Sequence, residues 1–124
     1  MDSAVILGTS GQPLADLKRC VANPNDLDLL EATLRWAHLC PTAPDTLGCY
    51  PFYDRDPFAI TTLPHVYFSG NSTAFSTRVA TFGPDQSPVR LVCVPSFAQT
   101  GDIALVDLTD LSARVVRFAG PMQE

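Results

Sequence analysis

Residues 40–58 read CPTAPDTLGCYPFYDRDPF, and no other run constrains the fold as much. Pro41, Pro44, Pro51 and Pro57 each fix φ and remove a backbone donor. Neither a regular helix nor a central strand can pass through such a segment. Yet Leu47, Tyr50, Phe52, Tyr53 and Phe58 supply more apolar surface than a solvated connection needs. A stiff aromatic loop of this kind lies against something: the chain's own core, a substrate or another subunit. The expectation is that Leu47, Tyr50 and Phe52 pack inward, while Tyr53, Asp54 and Arg55 are more exposed.

On the N-terminal side of this loop the pattern is strand, then two helices. Ala4–Leu7 (AVIL) is a continuous apolar run ending in Gly8-Thr9-Ser10-Gly11, which predicts a buried, central strand and a tight turn. Gln12-Pro13 opens a helix, where the missing donor of proline does no harm. Leu14, Leu17 and Val21 form its apolar stripe. Asn23 or Asn25 caps a second helix. Leu27, Leu30, Leu34 and Ala37 mark one of its faces, and Leu29, Thr33 and Trp36 a second, so packing on two sides is expected. Glu31 and Arg35 pair at i, i+4, and Pro41 ends the helix.

Beyond the loop the period changes to two. Strands are expected at His65–Phe68, closed by Ser69-Gly70-Asn71, and at Thr77–Phe82, with a turn at Gly83–Gln86. Further strands follow at Val89–Val94, Ile103–Leu108 and Ala113–Phe118. Short strands with tight connections predict an antiparallel meander. VRLVCV is apolar at nearly every residue, so its sheet is covered on both faces. The organisation is therefore α+β: a strand and two helices in 1–40, a proline–aromatic loop in 41–64, and antiparallel strands in 65–119. A buried-type strand at residue 4 needs neighbours on both sides. At ~25 cal/mol per Å² of apolar surface, leaving one side open forfeits several kcal/mol. The expectation is a C-terminal part of a larger domain.

Composition narrows the function classes. The 124 residues are one domain's worth or a piece of one. Their net charge is −5, with 13 acidic against 8 basic residues, and Lys18 is the sole lysine. Phosphate neutralisation needs clustered cations, so direct nucleic-acid binding is disfavoured. No apolar run approaches the ~20 residues of a membrane span. The start, MDSAVILG, lacks a basic leader region, and a signal peptide is not expected. Cys20, Cys40, Cys49 and Cys93 form no C-x-x-C pair, which argues against zinc and for buried free thiols. Asn71-Ser72-Thr73 fits the glycosylation acceptor pattern, meaningful only in a secreted chain, and is taken as chance.

Three constellations invite a catalytic reading. Gly8-Thr9-Ser10-Gly11 looks like a nucleophile elbow, but Gln12 stands where the pattern needs glycine. A tight turn in which Ser10 or Thr9 caps the helix is the simpler reading. His38 and His65 could join Asp45, Asp54 and Asp56, but no spacing brings them together. His38 suits a helix C-terminus, and His65 begins a strand. Val66–Asn71 offers only a hydroxyl and an amide. Residue chemistry alone describes an α+β domain without visible catalytic equipment.

The run LRWAHLCPTAPDTLGCYPFYDRDPF, followed by LPHVYFSGN, resembles the C-terminal region of the small (B) subunits of DNA polymerase delta. VILGTSGQ at the front and VRLVCVPSFAQTGDIALVDL at the back extend the resemblance to nearly the whole chain. It implies the C-terminal portion of a calcineurin-like metallophosphoesterase β-sandwich with flanking helices, ending in an antiparallel meander. In that family the phosphoesterase part is joined to an oligonucleotide-fold domain. Active relatives hold two metals with Asp, His and Asn side chains on loops after strands. The first matching turn would carry a ligating histidine where this chain has Thr9, Ser10 and Gly11. The second would read Gly-His-x-His where this chain has Gly70 and Asn71. Aliphatic hydroxyls are poor ligands for a hydroxide-generating centre.

The resemblance thus implies a degenerate site at Thr9, Ser10, Gly11, Gly70 and Asn71, with no catalytic residue, metal ligand or cofactor. It also implies a non-catalytic scaffold that binds the C-terminal domain of the polymerase catalytic subunit and accessory subunits. DNA would be met only through the complex, in the nucleus, with no membrane contact. Tyr53, Asp54 and Arg55 are the candidate partner-binding residues. One alternative is an active metal-dependent phosphoesterase or exonuclease of the same fold, which needs histidines at both turns. Another is the small subunit of a different replicative polymerase. The APDTLGCYPF run favours delta.

Overall fold

The most apolar strand lies in the interior of the molecule. In a computed structural model that describes residues 3–118, the chain runs β1 (Ile6–Thr9), α1 (Gln12–Lys18), α2 (Asp26–Arg35), β2 (Val66–Ser72) and β3 (Ser76–Phe82). It continues through β4 (Ser87–Pro95), α3 (Phe97–Thr100), β5 (Asp102–Val106) and β6 (Ala113–Arg117). Four strands form one sheet in the order β1-β2-β4-β3, and β5 and β6 form a separate antiparallel pair. Residue 119, the expected end of the strand region, lies outside the described residues, as do Met1 and Asp2.

Successive side chains of β4 point to opposite faces, and both faces are covered. Val89, Leu91 and Cys93 join Leu14 and Leu17 of α1 and Leu27, Leu30 and Leu34 of α2 in one core. Val92 joins Val66 and Leu111 in a second core, closed by Ala104, Val106 and Ala113 of the hairpin. The layers are helices, mixed sheet and hairpin.

The antiparallel meander does not form. β2 runs parallel to both β1 and β4, and only β3 is antiparallel to β4 in this sheet. The reason lies in β4: a strand apolar on both faces takes the interior position, between β2 and β3. The more polar β3 moves to the edge. The AVIL segment also departs from expectation. It borders only β2 among the described residues, and Ile6 is 53% exposed.

α1 buries Leu14 and Leu17 but ends at Lys18, which leaves Val21 exposed. Its N-cap is Gly11, at φ 102°, with no side-chain capping bond; the hydroxyl cap expected from Ser10 or Thr9 is absent. α2 is capped by Asn25, whose Oδ1 accepts the Asp28 N–H at 3.2 Å. Leu29 and Thr33 add the second packed side, and the Thr33 hydroxyl meets the buried Tyr67 hydroxyl at 2.9 Å. Trp36 of that stripe is exposed. The helix ends at Arg35, well before Pro41, because Ala37 turns into the left-handed region at φ 56°. Glu31 and Arg35 pair at 3.4 Å.

β2 continues through Ser69-Gly70-Asn71 to Ser72, with a break in register where Asn71 adopts φ 51°. Cys40 and Cys93 are buried free thiols whose pKa values burial pushes up, whereas Cys20 is exposed. The long loop is tied to α1 by Asp16, which accepts the Thr46 hydroxyl at 2.5 Å. The Thr42 and Thr46 hydroxyls hold this carboxyl below the usual range. Arg117 grips Asp102 with bonds of 2.6 and 2.9 Å and lowers that carboxyl in the same way.

Leu91→Ala is expected to destabilise the fold by about 2–5 kcal/mol, the range for a fully buried leucine, measured by urea unfolding. Asp16 and Asp102 have folded pKa values below their unfolded ones, so their stabilisation is complete above the unfolded pKa. It is lost as pH falls through the folded values. Thermal midpoints should therefore hold from neutral pH down to about pH 4 and fall steeply below it.

Candidate functional site

The β1–α1 turn and the irregular stretch of β2 lie side by side because β1 and β2 are parallel neighbours. The structure thus brings Thr9, Ser10, Gly11, Gly70 and Asn71 together. Asn71 Nδ2 donates to the Ser10 carbonyl at 2.8 Å. A Cβ on Gly11 would stand 2.1 Å from the Gly70 carbonyl oxygen. Glycine is needed there both for its positive φ and for this approach of two backbones. The Thr9 hydroxyl is buried without a partner. Beside the turns is a cavity of about 150 Å³, lined by Lys18, Asp26 and Ser69 among others. Lys18 and Asp26 pair with each other, and Asp26 also accepts the Thr73 N–H at 3.2 Å.

These donors do not fit a dinuclear metal centre. The Asn71 amide is committed to a carbonyl, the two turns are in backbone contact, and the local carboxylate is matched by a lysine. Among the described residues no group of three or more His, Cys, Asp or Glu side chains could share an ion.

The second constellation is partly assembled. His38 Nε2 meets Asp56 Oδ2 at 2.6 Å, a contact the spacing does not reveal. Asp45 and Asp54 do not complete a metal-holding group with them. Asp56 Oδ1 accepts the Phe58 N–H at 3.0 Å. That bond, and then His38, holds the Asp56 carboxyl below the ordinary carboxylate range. His65 instead accepts the Val5 N–H on Nδ1 at 2.9 Å, tying the entries of β1 and β2. The third stretch is structural at its centre: Tyr67 and Ser69 are buried, and burial pushes the Tyr67 phenol up.

The proline–aromatic loop faces outward more than expected. Leu47 is half-buried, but Tyr50 is 73% exposed and Phe52 is exposed as well. Their rings pack on each other, edge to face, with centroids 4.9 Å apart. The Arg55 guanidinium lies 5.2 Å from the Phe52 centroid. Local stacking thus replaces burial in the core. Tyr53 is fully exposed, and Asp54 and Arg55 are exposed. A cavity of about 320 Å³ lies between this platform and the loop neck, lined by His38, Cys49, Tyr50, Phe52, Arg55 and Phe58 among others.

Residues 1–77 match the family of DNA polymerase alpha/epsilon B subunits. The chain is 46% identical over 119 residues to DNA polymerase delta subunit 2 of Drosophila melanogaster, covering 96% of this chain and 27% of that protein. It is 48% identical over 119 residues to the DNA polymerase delta small subunit of Arabidopsis thaliana, with the same shares covered. The Saccharomyces cerevisiae DNA polymerase delta small subunit is 46% identical over 92 residues, 74% of this chain and 18% of that protein. The chain spans about a quarter of the length of the first two relatives.

Gly11→Ala should destabilise the fold by more than about 1 kcal/mol, since it forces a side chain into positive φ and against a carbonyl. Gly48→Ala, where an added Cβ meets nothing within 4 Å, should lie within about 0.5 kcal/mol of the parent. Chemical denaturation of the pair checks this.

Proposed function

We propose, from the premise that this chain belongs to the family of DNA polymerase alpha/epsilon B subunits, that it is a non-catalytic scaffold segment of a DNA polymerase delta small subunit. It binds the C-terminal domain of the catalytic subunit and further accessory subunits in the replicating nucleus, and it meets DNA only through that complex. The relatives named above, at 46% and 48% identity over 96% of the chain, support delta over the other polymerases. Within the chain, the observation that carries the reading is the exposed platform of Tyr50, Phe52, Tyr53 and Arg55. Aromatic side chains and arginine are the residue types enriched at interface anchors. Prolines stiffen the loop that bears them, which lowers the ordering entropy lost on docking.

The same reading makes the layers the C-terminal segment of an inactivated, calcineurin-like phosphoesterase sandwich. An apolar cleft of about 420 Å³ beside β1, lined by Ile6, Phe68, Val94, Phe97, Ala104 and Leu108 among others, supports it, as an open face on which further strands of such a domain would pack. Thr9, Ser10, Gly11, Gly70 and Asn71 are then the remnants of the metal-binding turns. Their packing leaves shape, rather than hydrolysis, as their contribution.

Replacing Tyr53 and Arg55 together with alanine should weaken binding to the catalytic subunit's C-terminal domain about tenfold, or ~1.4 kcal/mol. The thermal midpoint should stay unchanged, since neither side chain enters a core. A quantitative pull-down at graded concentrations measures it, and unaltered affinity refutes the interface. With manganese and bis(4-nitrophenyl) phosphate, the purified protein should release no nitrophenol above background. Turnover in that assay would restore the phosphoesterase reading.

A further inference from the structure

The loop that carries the platform is closed at its neck by two backbone bonds and one side chain. Leu39 N–H donates to the Phe58 carbonyl at 2.8 Å, and Ile60 N–H donates to the Ala37 carbonyl at 2.8 Å. Between these bonds His38 and Ala59 form an isolated antiparallel bridge. The His38 imidazole then uses both nitrogens across the neck. Nδ1 accepts the Cys40 N–H at 3.1 Å, where the loop begins. That leaves the ring proton on Nε2, which donates to Asp56 Oδ2 at 2.6 Å, where the loop returns. The other Asp56 oxygen accepts the Phe58 N–H, so the carboxylate is fixed from both sides. Arg55, the residue before Asp56, is the one whose guanidinium lies over Phe52, and Phe52 in turn packs on Tyr50.

We propose that His38 is a positioning residue whose imidazole, bonded to Cys40 at the loop entry and Asp56 at its exit, holds the Tyr50–Arg55 platform in its docking conformation. The inference rests on the platform being a partner surface. Its physical basis is that exposed aromatic side chains lose rotamer and backbone freedom on docking, and a surface ordered beforehand loses less. The backbone bonds close the neck but do not orient the chain from Pro51 to Arg55. Asp56, the residue after Arg55, is held through its carboxylate by His38 and the Phe58 N–H, which fixes where the chain leaves the platform. Both residues lie outside the two cores, so removing the contact loosens the loop without unfolding the sheet.

The test uses the full-length protein and the catalytic subunit's C-terminal domain as probe, with amide hydrogen exchange read in residues 41–57 and in β4. His38→Ala should speed exchange in 41–57 at least about fivefold, leave β4 protected, and weaken binding about tenfold. His38→Gln, whose side-chain amide can still donate to Asp56, should recover most of both effects. Asp56→Ala reads the same contact from its other end and should match His38→Ala. Unchanged exchange in His38→Ala and Asp56→Ala overturns the proposal. So does faster exchange with unaltered binding. Tyr53→Ala separates the two ways of failing. Affinity lost in Tyr53→Ala but kept in His38→Ala refutes the positioning role alone. Affinity kept in both refutes the docking surface on which it rests.

Discussion

β4 is apolar on both faces and buried on both, and the remaining architecture follows from that constraint. A strand of this kind cannot stand at an edge, so it takes the place between β2 and β3 and forces a mixed sheet in place of a meander. Its Leu91 face draws α1 and α2 together, and its Val92 face draws in the β5–β6 hairpin. The parallel alignment of β1 and β2 then sets the β1–α1 turn against Asn71. The end of α2 fixes one side of the loop neck. Both candidate sites are thus positioned by the packing of one strand.

The two sites differ in what their chemistry permits. At the turns, backbone approaches backbone at Gly11 and Gly70, the Asn71 amide is spent on a carbonyl, and Lys18 matches Asp26. Among the described residues these donors do not make up a set that fits a dinuclear metal centre. At the platform, rings and a guanidinium stack on one another in the open, and His38 meets Asp56 where the loop returns. One site is closed by packing; the other is built outward. This division supports the adhesive role proposed above for the platform.

Elements governed by local patterning are legible from the residues. The leucine stripes of α2, its Asn25 cap, the two-faced burial of VRLVCV and the strands flanking Gly83–Gln86 all appear in the structure. What is not legible depends on tertiary partners. Short connections suggest antiparallel pairing, whereas the sheet is decided by which strand must be interior. Aromatic area suggests that Tyr50 and Phe52 turn inward, but each finds the other, and Arg55, at the surface. His38 and Asp56, eighteen positions apart, meet only because residues 37–39 bridge 58–60, and no periodicity encodes that. The contact between the Ser10–Gly11 and Gly70–Asn71 turns, far apart in sequence, is likewise encoded by no local pattern.

The most direct test is a hydrogen-exchange footprint of the full-length protein bound to the polymerase catalytic subunit's C-terminal domain. New protection is predicted at residues 50–55, with Ser10, Gly11 and Asn71 exchanging as they do in the free protein. Protection confined to those turns, with the aromatic platform unaffected, would contradict the scaffold role proposed for this surface.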